Sequence, residues 1–270
     1  MKAMARPSLL GIVNITENSF SDGGRFLAPE AAIGQARALA AAGADIIDLG
    51  PASSHPDAAP VSAVEERRRL EPVISALKKD GLTLCVDSFL PETQAYALAQ
   101  GVAYLNDIQG FPDPAHYPML AASDCQLIVM HSIQGRGRAT RAPAPGGDIF
   151  EFICRFFEAR LGAFDAAGIA RRRLILDPGM GFFLGNSPAA SLQALRRLPE
   201  LKERFGAPVL ISVSRKSFLR TITGLPVEAI GPATLAAELY GALQGADFIR
   251  THDTGALASA LAVWDALDEG

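Results

Sequence analysis

Eight short apolar runs recur along the chain, and a helix-like stretch follows each of them. Glycine, proline or polar residues bound every run, which is typical of strands that are buried on both faces. The stretches between the runs are rich in alanine, and the one at residues 28–42 ends before Gly43, a residue favoured just after a helix. The predicted strands cover residues 9–15, 45–50, 82–88, 104–108, 126–132, 174–177, 209–214 and 247–253.

Regular alternation of eight strand–helix units predicts one α/β domain, a single (β/α)8 TIM barrel over residues 1–270. An open, doubly wound sheet shows the same alternation and is the alternative architecture. No GxGxxG segment follows the first strand, and no linker or change of composition divides the chain, so we favour the closed barrel. The expected helices include residues 63–79, 148–167, 189–204 and 233–244.

Composition and charge narrow the classes of partner. A net charge of -4 gives no basis for binding nucleic acid or an anionic membrane. The first apolar run is too short to span a membrane, and no typical signal-peptide cleavage site follows it. Cys85, Cys125 and Cys154 are widely spaced and form no CxxC, so we expect buried free thiols in a reducing cytoplasm.

Polar side chains follow almost every predicted strand. In a (β/α)8 barrel the carboxyl ends of the strands converge on one mouth, where active sites lie. A single polar strand end is often only a loop cap, but a whole set in the same position predicts an active site. The set is Asn14, Asp48, Asp87, Asn106 with Asp107, Met130 with His131, Asp177, residues 214–217, and Arg250 with His252.

These residue types indicate two kinds of ligand group. Carboxylate and amide groups at Asp87, Asn106 and Asp177 suit a flat heterocycle with amidine-like donors and carbonyl acceptors. Arg250 and His252 flank one residue and therefore share a strand face, at the position where this fold usually binds phosphate. The alternative for Arg250 is an ion pair with a neighbouring strand-end carboxylate.

Other chemistries find little support. Lys216, after the seventh strand, supplies a cation in addition to Arg250. We assign no chemical role to the loop at residues 133–147, although it contains three arginines. The chain has no HExxH and no cysteine–histidine cluster that would predict a zinc site. No GxSxG segment is present either, so nothing favours a serine hydrolase.

Seven short motifs, taken together in their order and spacing, resemble the dihydropteroate synthase family. The resemblance runs from about residue 9 to residue 265. It implies a cytoplasmic, usually homodimeric enzyme of folate synthesis that joins a dihydropterin methyl diphosphate to 4-aminobenzoate and releases diphosphate. The motifs are Gly11-Ile-Val-Asn-Ile-Thr, Ser19-Phe-Ser-Asp-Gly-Gly, Val86-Asp-Ser, Leu105-Asn-Asp-Ile, Leu174-Ile-Leu-Asp-Pro-Gly, Ser214-Arg-Lys-Ser and Arg250-Thr-His.

The resemblance also implies roles for individual residues. Ser217, at the predicted start of a helix, would meet the aminobenzoate carboxylate, because helix N-termini favour anions. Loss of diphosphate would come first, leaving a pterin methylene cation that the aniline nitrogen attacks. The pterin would be held by Asp87, Asn106, Asp177 and Lys216, with Met130 lining the pocket; the diphosphate and its Mg2+ ion would be held by Asn14, Arg250 and His252.

The sequence departs from the common family pattern in three loops. Thr16-Glu-Asn-Ser replaces Thr-Pro-Asp-Ser, and Ala52-Ser-Ser-His-Pro replaces Glu-Ser-Thr-Arg-Pro. Ser54 and His55 therefore stand in the second loop without the usual arginine, for which Arg25 is a candidate substitute. The third loop, Gly181-Phe-Phe-Leu-Gly, is about two residues longer than the pattern.

This combination of loops resembles the acquired, sulfonamide-insensitive branch of the family. A phenyl ring of Phe182 or Phe183 that clashes with the drug and spares 4-aminobenzoate would give specificity by repulsion. The alternative is that both rings pack in the core. A different function also stays open: a pterin-binding barrel without synthase activity, such as the methyltetrahydrofolate module of corrinoid methyltransferases. That barrel would not need the diphosphate pair Arg250 and His252.

Overall fold

The sheet is a closed barrel of eight parallel strands, as the alternating pattern predicts. The computed structural model describes residues 6–16 and 29–268. The strand order is β6-β5-β4-β3-β2-β1-β8-β7, and a bridge between Leu176 and Val209 joins the two edges. The strands are β1 (Ser8–Asn14), β2 (Ile46–Gly50), β3 (Leu84–Asp87), β4 (Tyr104–Asp107), β5 (Gln126–Met130), β6 (Leu174–Asp177), β7 (Leu210–Ile211) and β8 (Phe248–Thr251).

Helices cover the outside of the barrel. The prediction of one helix at residues 189–204 is wrong, because the chain breaks at Arg197 into two helices. Pro199 has no N–H to donate to the carbonyl of Leu195, so a continuous helix would lose a hydrogen bond there. The helices are α1 (Pro29–Ala41), α2 (Ala63–Lys79), α3 (Pro91–Ala99), α4 (Tyr117–Ala121), α5 (Ile149–Ala166), α6 (Pro188–Arg196), α7 (Leu198–Phe205), α8 (Ser217–Thr223), α9 (Gly231–Leu243) and α10 (Thr254–Asp268).

Alternate residues of each strand face the helices and the barrel interior. The outward residues, such as Leu49, Val86 and Leu127, belong to a large core that the helices complete. A second apolar cluster fills the lower interior, and we call it the barrel floor. It supports the residues two positions further along each strand, most of which are polar. The barrel floor consists of Leu10, Ile46, Cys85, Ile128, Ile175 and Leu210, with Tyr104 and Phe248 packed against them.

The seam between β6 and β8 is the least regular part of the sheet. The apolar run at residues 209–214 predicts a longer strand, but β7 contains only Leu210 and Ile211. The Asp247 carboxylate accepts the N–H of Val209 at 2.8 Å and pairs with Lys202 at 2.8 Å, which fixes the start of β7. After Ile211 the chain leaves the sheet, and this frees residues 212–217 to turn over the mouth.

The expectation for the cysteines is confirmed. Cys85, Cys125 and Cys154 are free and buried, as their apolar surroundings predict. Among residues 6–16 and 29–268, no helix combines the length and the apolar character that crossing a bilayer requires.

Candidate active site

The carboxyl ends of the strands open onto a cavity of about 290 Å3 at the mouth of the barrel. This volume is at the lower end of the range for small-molecule sites. Asn106 lies beside Asp87 on the next strand, Met130 packs near Phe183, and Asp177 pairs with Met130. The other predicted site residues line the cavity: Asn14, Ser54, His55, Asp87, Phe182, Phe183, Lys216, Ser217, Arg250 and His252. The structure therefore brings these thirteen residues to one mouth, ten of them in the cavity wall.

Several polar atoms around this mouth are buried and have no hydrogen-bond partner among the described residues. They include Asn106 Oδ1 and Ser212 Oγ. An unpaired buried polar atom costs about 1–3 kcal/mol, and its presence in a native fold calls for an explanation. A polar ligand that supplies the missing partners is the explanation that fits a cluster of such atoms beside a cavity.

Arg250 lies between two carboxylates. Its Nε donates to Asp48 Oδ2 at 2.5 Å, and its Nη2 donates to Asp87 Oδ2 at 2.8 Å. The ion pair that was the alternative for Arg250 is therefore present, but Arg250 also lines the cavity and can meet a ligand there. Burial raises the pKa of Asp87 above the ordinary aspartate value, against the opposing effects of Arg250 and Lys216.

Asp177 is fixed by the turn that follows β6. Its Oδ1 accepts the N–H of Gly179 at 2.8 Å. Gly179 has a φ of 78°, and a Cβ there would collide with the carbonyl oxygen of His131, so the turn requires glycine. Burial raises the pKa of Asp177 to about 6, and it lowers the pKa of Lys216 to about 8. The end of β6 thus holds a carboxyl group whose pKa lies close to neutral pH.

The opposite side of the cavity carries hydrogen-bond donors and positive charge. His252 Nδ1 lies 2.9 Å from Ser214 Oγ. Burial, with the nearby Arg215, Arg250 and Lys216, lowers the pKa of His252 to about 3. Its ring is therefore neutral at pH 7 and meets a ligand as a hydrogen-bonding group, while Arg250 and Lys216 carry the charge.

The connection from β7 to α8 bends sharply over the mouth. Arg215 has a φ of 58°, a conformation that is uncommon for residues other than glycine and often occurs at functional sites. The bend carries Lys216 and Ser217 into the cavity wall. α8 has only seven residues, so its macrodipole is small, and the side chains of these two residues are the main anion-binding groups at this point.

The two phenylalanines of the loop after β6 have different environments. Phe183 is buried in a cluster with Ile108, Met130 and Ala139, and the Lys216 ammonium lies 5.0 Å from its ring. Phe182 is half-buried, and its ring meets the His55 ring edge to face at a centroid distance of 6.5 Å. The idea that both rings pack in the core therefore holds for Phe183 and not for Phe182.

The loop at residues 133–147, which the sequence left without a role, connects the loops on either side of the cavity. Its Ala139 N–H donates to Ser54 O at 3.3 Å, and Gln134 Nε2 donates to Phe182 O at 3.0 Å. Arg141 pairs with Asp57 through Nη1 and Oδ1 at 2.7 Å and lies over the Phe182 ring. Opposite charges in two separate loops were the only sequence signal for this contact.

Two of the polar strand-end residues point away from the cavity. Asp107 faces the helix layer, where it accepts hydrogen bonds from Gln94 and from the Gln109 backbone. His131 contacts Pro178 O through Nδ1 at 3.0 Å and packs against the Phe156 ring. Each follows an inward-facing residue by one position and therefore lies on the other face of its strand.

Some of the sequence-based predictions concern residues that the structure does not describe. These are Glu17, Asn18, the motif at residues 19–24 and Arg25.

Comparison with known proteins agrees with this geometry. The family model described as pterin binding enzyme matches residues 10–252. The dihydropteroate synthase type-2 of Escherichia coli is 62% identical over 261 residues, which is 97% of this chain and 96% of that protein. The chain belongs to the dihydropteroate synthase family.

Solved structures of dihydropteroate synthase share the fold. The Xanthomonas albilineans enzyme with 4-aminobenzoic acid is 39% identical, with a TM-score of 0.88 over 97% of this chain and 93% of that one. The same enzyme in complex with 7,8-dihydropteroate gives 38% identity and a TM-score of 0.84, with 97% and 94% covered. The family match covers residues 10–252, so the thirteen residues assigned to the site above lie inside it.

The raised pKa of Asp177 predicts a pH-dependent cost to stability. A carboxyl whose folded pKa is about 6 stabilises the fold below its ordinary value of 3.8 and loses that contribution as the pH rises through 6. Asp177→Asn cannot ionise and still accepts the Gly179 N–H. Above pH 7, we expect the variant's free energy of unfolding in urea, measured without ligand, to exceed the parent's by about 1–3 kcal/mol. Near pH 4 the two free energies should match.

The matched control is Asp113→Asn, since Asp113 is solvent-exposed and accepts a backbone N–H two residues on, from Ala115 at 3.0 Å. Its effect on stability should not grow between pH 4 and pH 8. A stability difference for Asp177→Asn that stays constant across this range would contradict the assignment of the pH dependence to Asp177.

Proposed function

We propose that the protein is a dihydropteroate synthase of folate biosynthesis. It condenses 6-hydroxymethyl-7,8-dihydropterin diphosphate with 4-aminobenzoate, forming 7,8-dihydropteroate and diphosphate. The observation that carries this proposal is the meeting of two kinds of side chain at one mouth. Asp87, Asn106 and Asp177 stand at the ends of β3, β4 and β6 and form the acceptor side, and Arg250, His252 and Lys216 line the cavity as the cationic side.

The acceptor side suits the pterin ring. Carboxylate oxygens of Asp87 and Asp177 accept from the amidine-like N–H groups of the heterocycle, and the Asn106 amide can both donate and accept. Asn106 Oδ1 is buried and has no hydrogen-bond partner within residues 6–16 and 29–268. Lys216 adds a donor for the ring carbonyl or a ring nitrogen. Met130, packed near Phe183, supplies apolar surface beside the ring.

The cationic side suits the diphosphate. Arg250 offers a planar fork of N–H donors, and the neutral His252 ring offers a hydrogen bond. Asn14 is exposed at the end of β1 and can supply one amide oxygen to Mg2+. One protein ligand fits this ion, which usually keeps several waters and binds substrate phosphates. Bound Mg2+ would neutralise charge on the leaving diphosphate.

The reaction then follows from the two sides. The bond between the pterin methylene and the diphosphate oxygen breaks first, and the diphosphate leaves with the bonding electrons. Asp87 and Asp177 stabilise the cationic pterin methylene, because fixed charges act strongly in a site that excludes water. The amine of 4-aminobenzoate attacks this carbon, and its nitrogen releases a proton to water at the open mouth. Ser217 and Ser54 lie in the wall where its carboxylate can bind.

Turnover tests the proposal directly. The purified protein with Mg2+, pterin diphosphate and 4-aminobenzoate should release diphosphate and dihydropteroate in equal amounts, and EDTA should stop the reaction until Mg2+ is restored. Asp177→Asn should lower kcat by about 100-fold or more, since it removes a charge that acts in the transition state. The control is Asp113→Asn, which should keep the parent's activity. Wild-type turnover by Asp177→Asn would contradict the role given to this residue.

A methyltransferase-type pterin-binding barrel is the second candidate. It would use the same carboxylates for the pterin but has no need for a diphosphate site. The convergence of Arg250, His252 and Lys216 on one cavity argues against it. Binding of pterins without release of diphosphate would favour it.

We further propose that the enzyme is insensitive to sulfonamides and that Phe182 is the residue responsible. Both rings line the cavity, but Phe183 is buried against Ile108 and Met130, whereas Phe182 is only half-buried and leaves more of its ring exposed there. The loop at residues 133–147 holds Phe182 on one side, and His55 meets it from the other. A sulfonamide carries a substituted sulfonyl group where 4-aminobenzoate has a small planar carboxylate. A fixed ring at this place repels the larger group and tolerates the smaller one.

Inhibition by sulfamethoxazole tests this role. The unaltered enzyme should resist micromolar drug, and Phe182→Ala should become at least about tenfold more sensitive, equal to about 1.4 kcal/mol. The KM for 4-aminobenzoate should change less. Phe205→Ala, which removes another half-buried ring from the far side of the barrel on α7, is the matched control. Micromolar inhibition of the unaltered enzyme would refute the proposal.

We also infer a cytoplasmic homodimer. The three free cysteines suit a reducing compartment. Exposed apolar side chains occur on α8, on the turn after it and on α9, and we call these residues the α8–α9 patch. Large apolar side chains left exposed on a folded protein are candidates for an interface. The patch consists of Ile222, Leu225, Val227, Tyr240 and Leu243.

Sedimentation equilibrium tests the dimer. Leu243→Glu places a charge in the α8–α9 patch and should convert a dimer into a monomer at micromolar concentration. Val64→Glu is the matched control, since Val64 is exposed on α2, outside the patch. A dimer that survives Leu243→Glu would place the interface elsewhere, and a monomeric parent would refute the dimer itself.

A further inference from the structure

Arg250 has two carboxylate partners that differ in their access to a ligand. The Asp48 side chain is fully buried, whereas the Asp87 side chain is 17% exposed and lines the cavity. Arg250 itself also lines the cavity. A ligand can therefore replace Asp87 as a partner of Arg250, or replace Arg250 as a partner of Asp87. It cannot reach Asp48, which stays on the Nε edge of the guanidinium.

This arrangement matters because the proposed substrate needs both members of the exposed pair. The pterin is expected on Asp87 and the diphosphate on Arg250, so the contact between Asp87 Oδ2 and Arg250 Nη2 competes with both parts of the substrate. In a buried site an ion pair with no other partner is hard to open, because each charge would be left uncompensated. Arg250 is spared this cost, since the 2.5 Å contact with Asp48 remains.

Asp48 is the group placed to compensate the Arg250 charge when Asp87 binds a ligand. The charged groups that act on Asp87 are Asp48, Arg250, Lys216 and Asp107. Cys85 pairs with Asp48 in the register of β2 and β3, and burial together with Asp48 raises the pKa of its thiol well above the ordinary value, so it stays neutral. Asp48 is thus the carboxylate that compensates Arg250 when Asp87 turns to a ligand.

We propose that Asp48 is a positioning residue that holds Arg250 by its Nε edge and thereby releases Asp87 to the pterin. The inference rests on the proposed function, which supplies the pterin. Without the Asp48 charge, the guanidinium fork would pair with Asp87 alone, in the two-pronged geometry that arginine and carboxylate favour. The pterin would then have to compete with Arg250 for Asp87.

Binding of 6-hydroxymethylpterin, a neutral pterin without diphosphate, isolates this step from the chemistry. Calorimetry should show that the unaltered protein binds this pterin and that Asp48→Asn binds it about tenfold more weakly. In turnover, the KM for pterin diphosphate should rise by about tenfold, while kcat and the KM for 4-aminobenzoate stay within about threefold. Equal pterin affinity in the two proteins would overturn the inference and leave the proposed function intact. No pterin binding by the unaltered protein would overturn the proposed function.

A second substitution separates positioning from support of the fold. If Arg250 blocks Asp87 in Asp48→Asn, then neutralising it in Asp48→Asn/Arg250→Gln should restore pterin affinity to within about threefold of the parent. This double variant cannot catalyse, but the binding readout does not need turnover. Continued weak binding by a folded double variant would show that Asp48 acts through structure alone and would refute the proposal.

The matched control is Glu238→Gln, which exchanges another buried carboxyl for an amide. Glu238 is on α9 beside Thr251 of β8, on the face of that strand that points away from the cavity. Its substitution should leave both pterin affinity and the KM for pterin diphosphate unchanged. An equal loss in this variant would mean that any buried carboxyl near β8 produces the effect, which would contradict a specific role for Asp48.

Discussion

Burial of charge at the mouth of the barrel is the constraint on which the rest of the structure depends. Asp48, Asp87 and Asp177 are placed where water is largely excluded, and Arg250 and Lys216 compensate them only in part. Such groups do not stabilise a fold by themselves, since their desolvation costs as much as their attraction returns. Burial of apolar surface in the barrel floor and the helix layer has to offset the desolvation cost of these charges. In exchange, the carboxylates face a ligand without a competing shell of water.

The fold could be predicted from sequence because it depends on periodic patterns. Apolar runs followed by alanine-rich helices specify strand and helix, and eight repeats specify closure. The site could be predicted in outline for the same reason, since the ends of parallel strands meet at one mouth. Asp87, Asn106, Asp177 and Arg250 all lie where that rule places them.

The rest depends on details that a pattern does not contain. Asp107 and His131 belong to the same motifs as Asn106 and Met130, yet a shift of one residue turns them to the outside of the barrel. The different environments of Phe182 and Phe183 follow from contacts with residues distant in sequence. The role of the loop at residues 133–147 depends on where its backbone passes, and a composition rich in arginine, glycine and proline does not reveal this.

The shortness of β7 has a dynamic consequence. A barrel is commonly regarded as a rigid platform that carries mobile loops, and local stability follows the density of backbone hydrogen bonds. In this barrel one strand is weakly held, because β7 has two paired residues and joins β6 through a single bridge. Lys216 and Ser217 lie in the connection that follows this strand. Movement at the seam would shift these two side chains, whereas Asp48 and Asp87 on β2 and β3 lie away from it, so the wall that meets the substrate can adjust without displacing these two carboxylates.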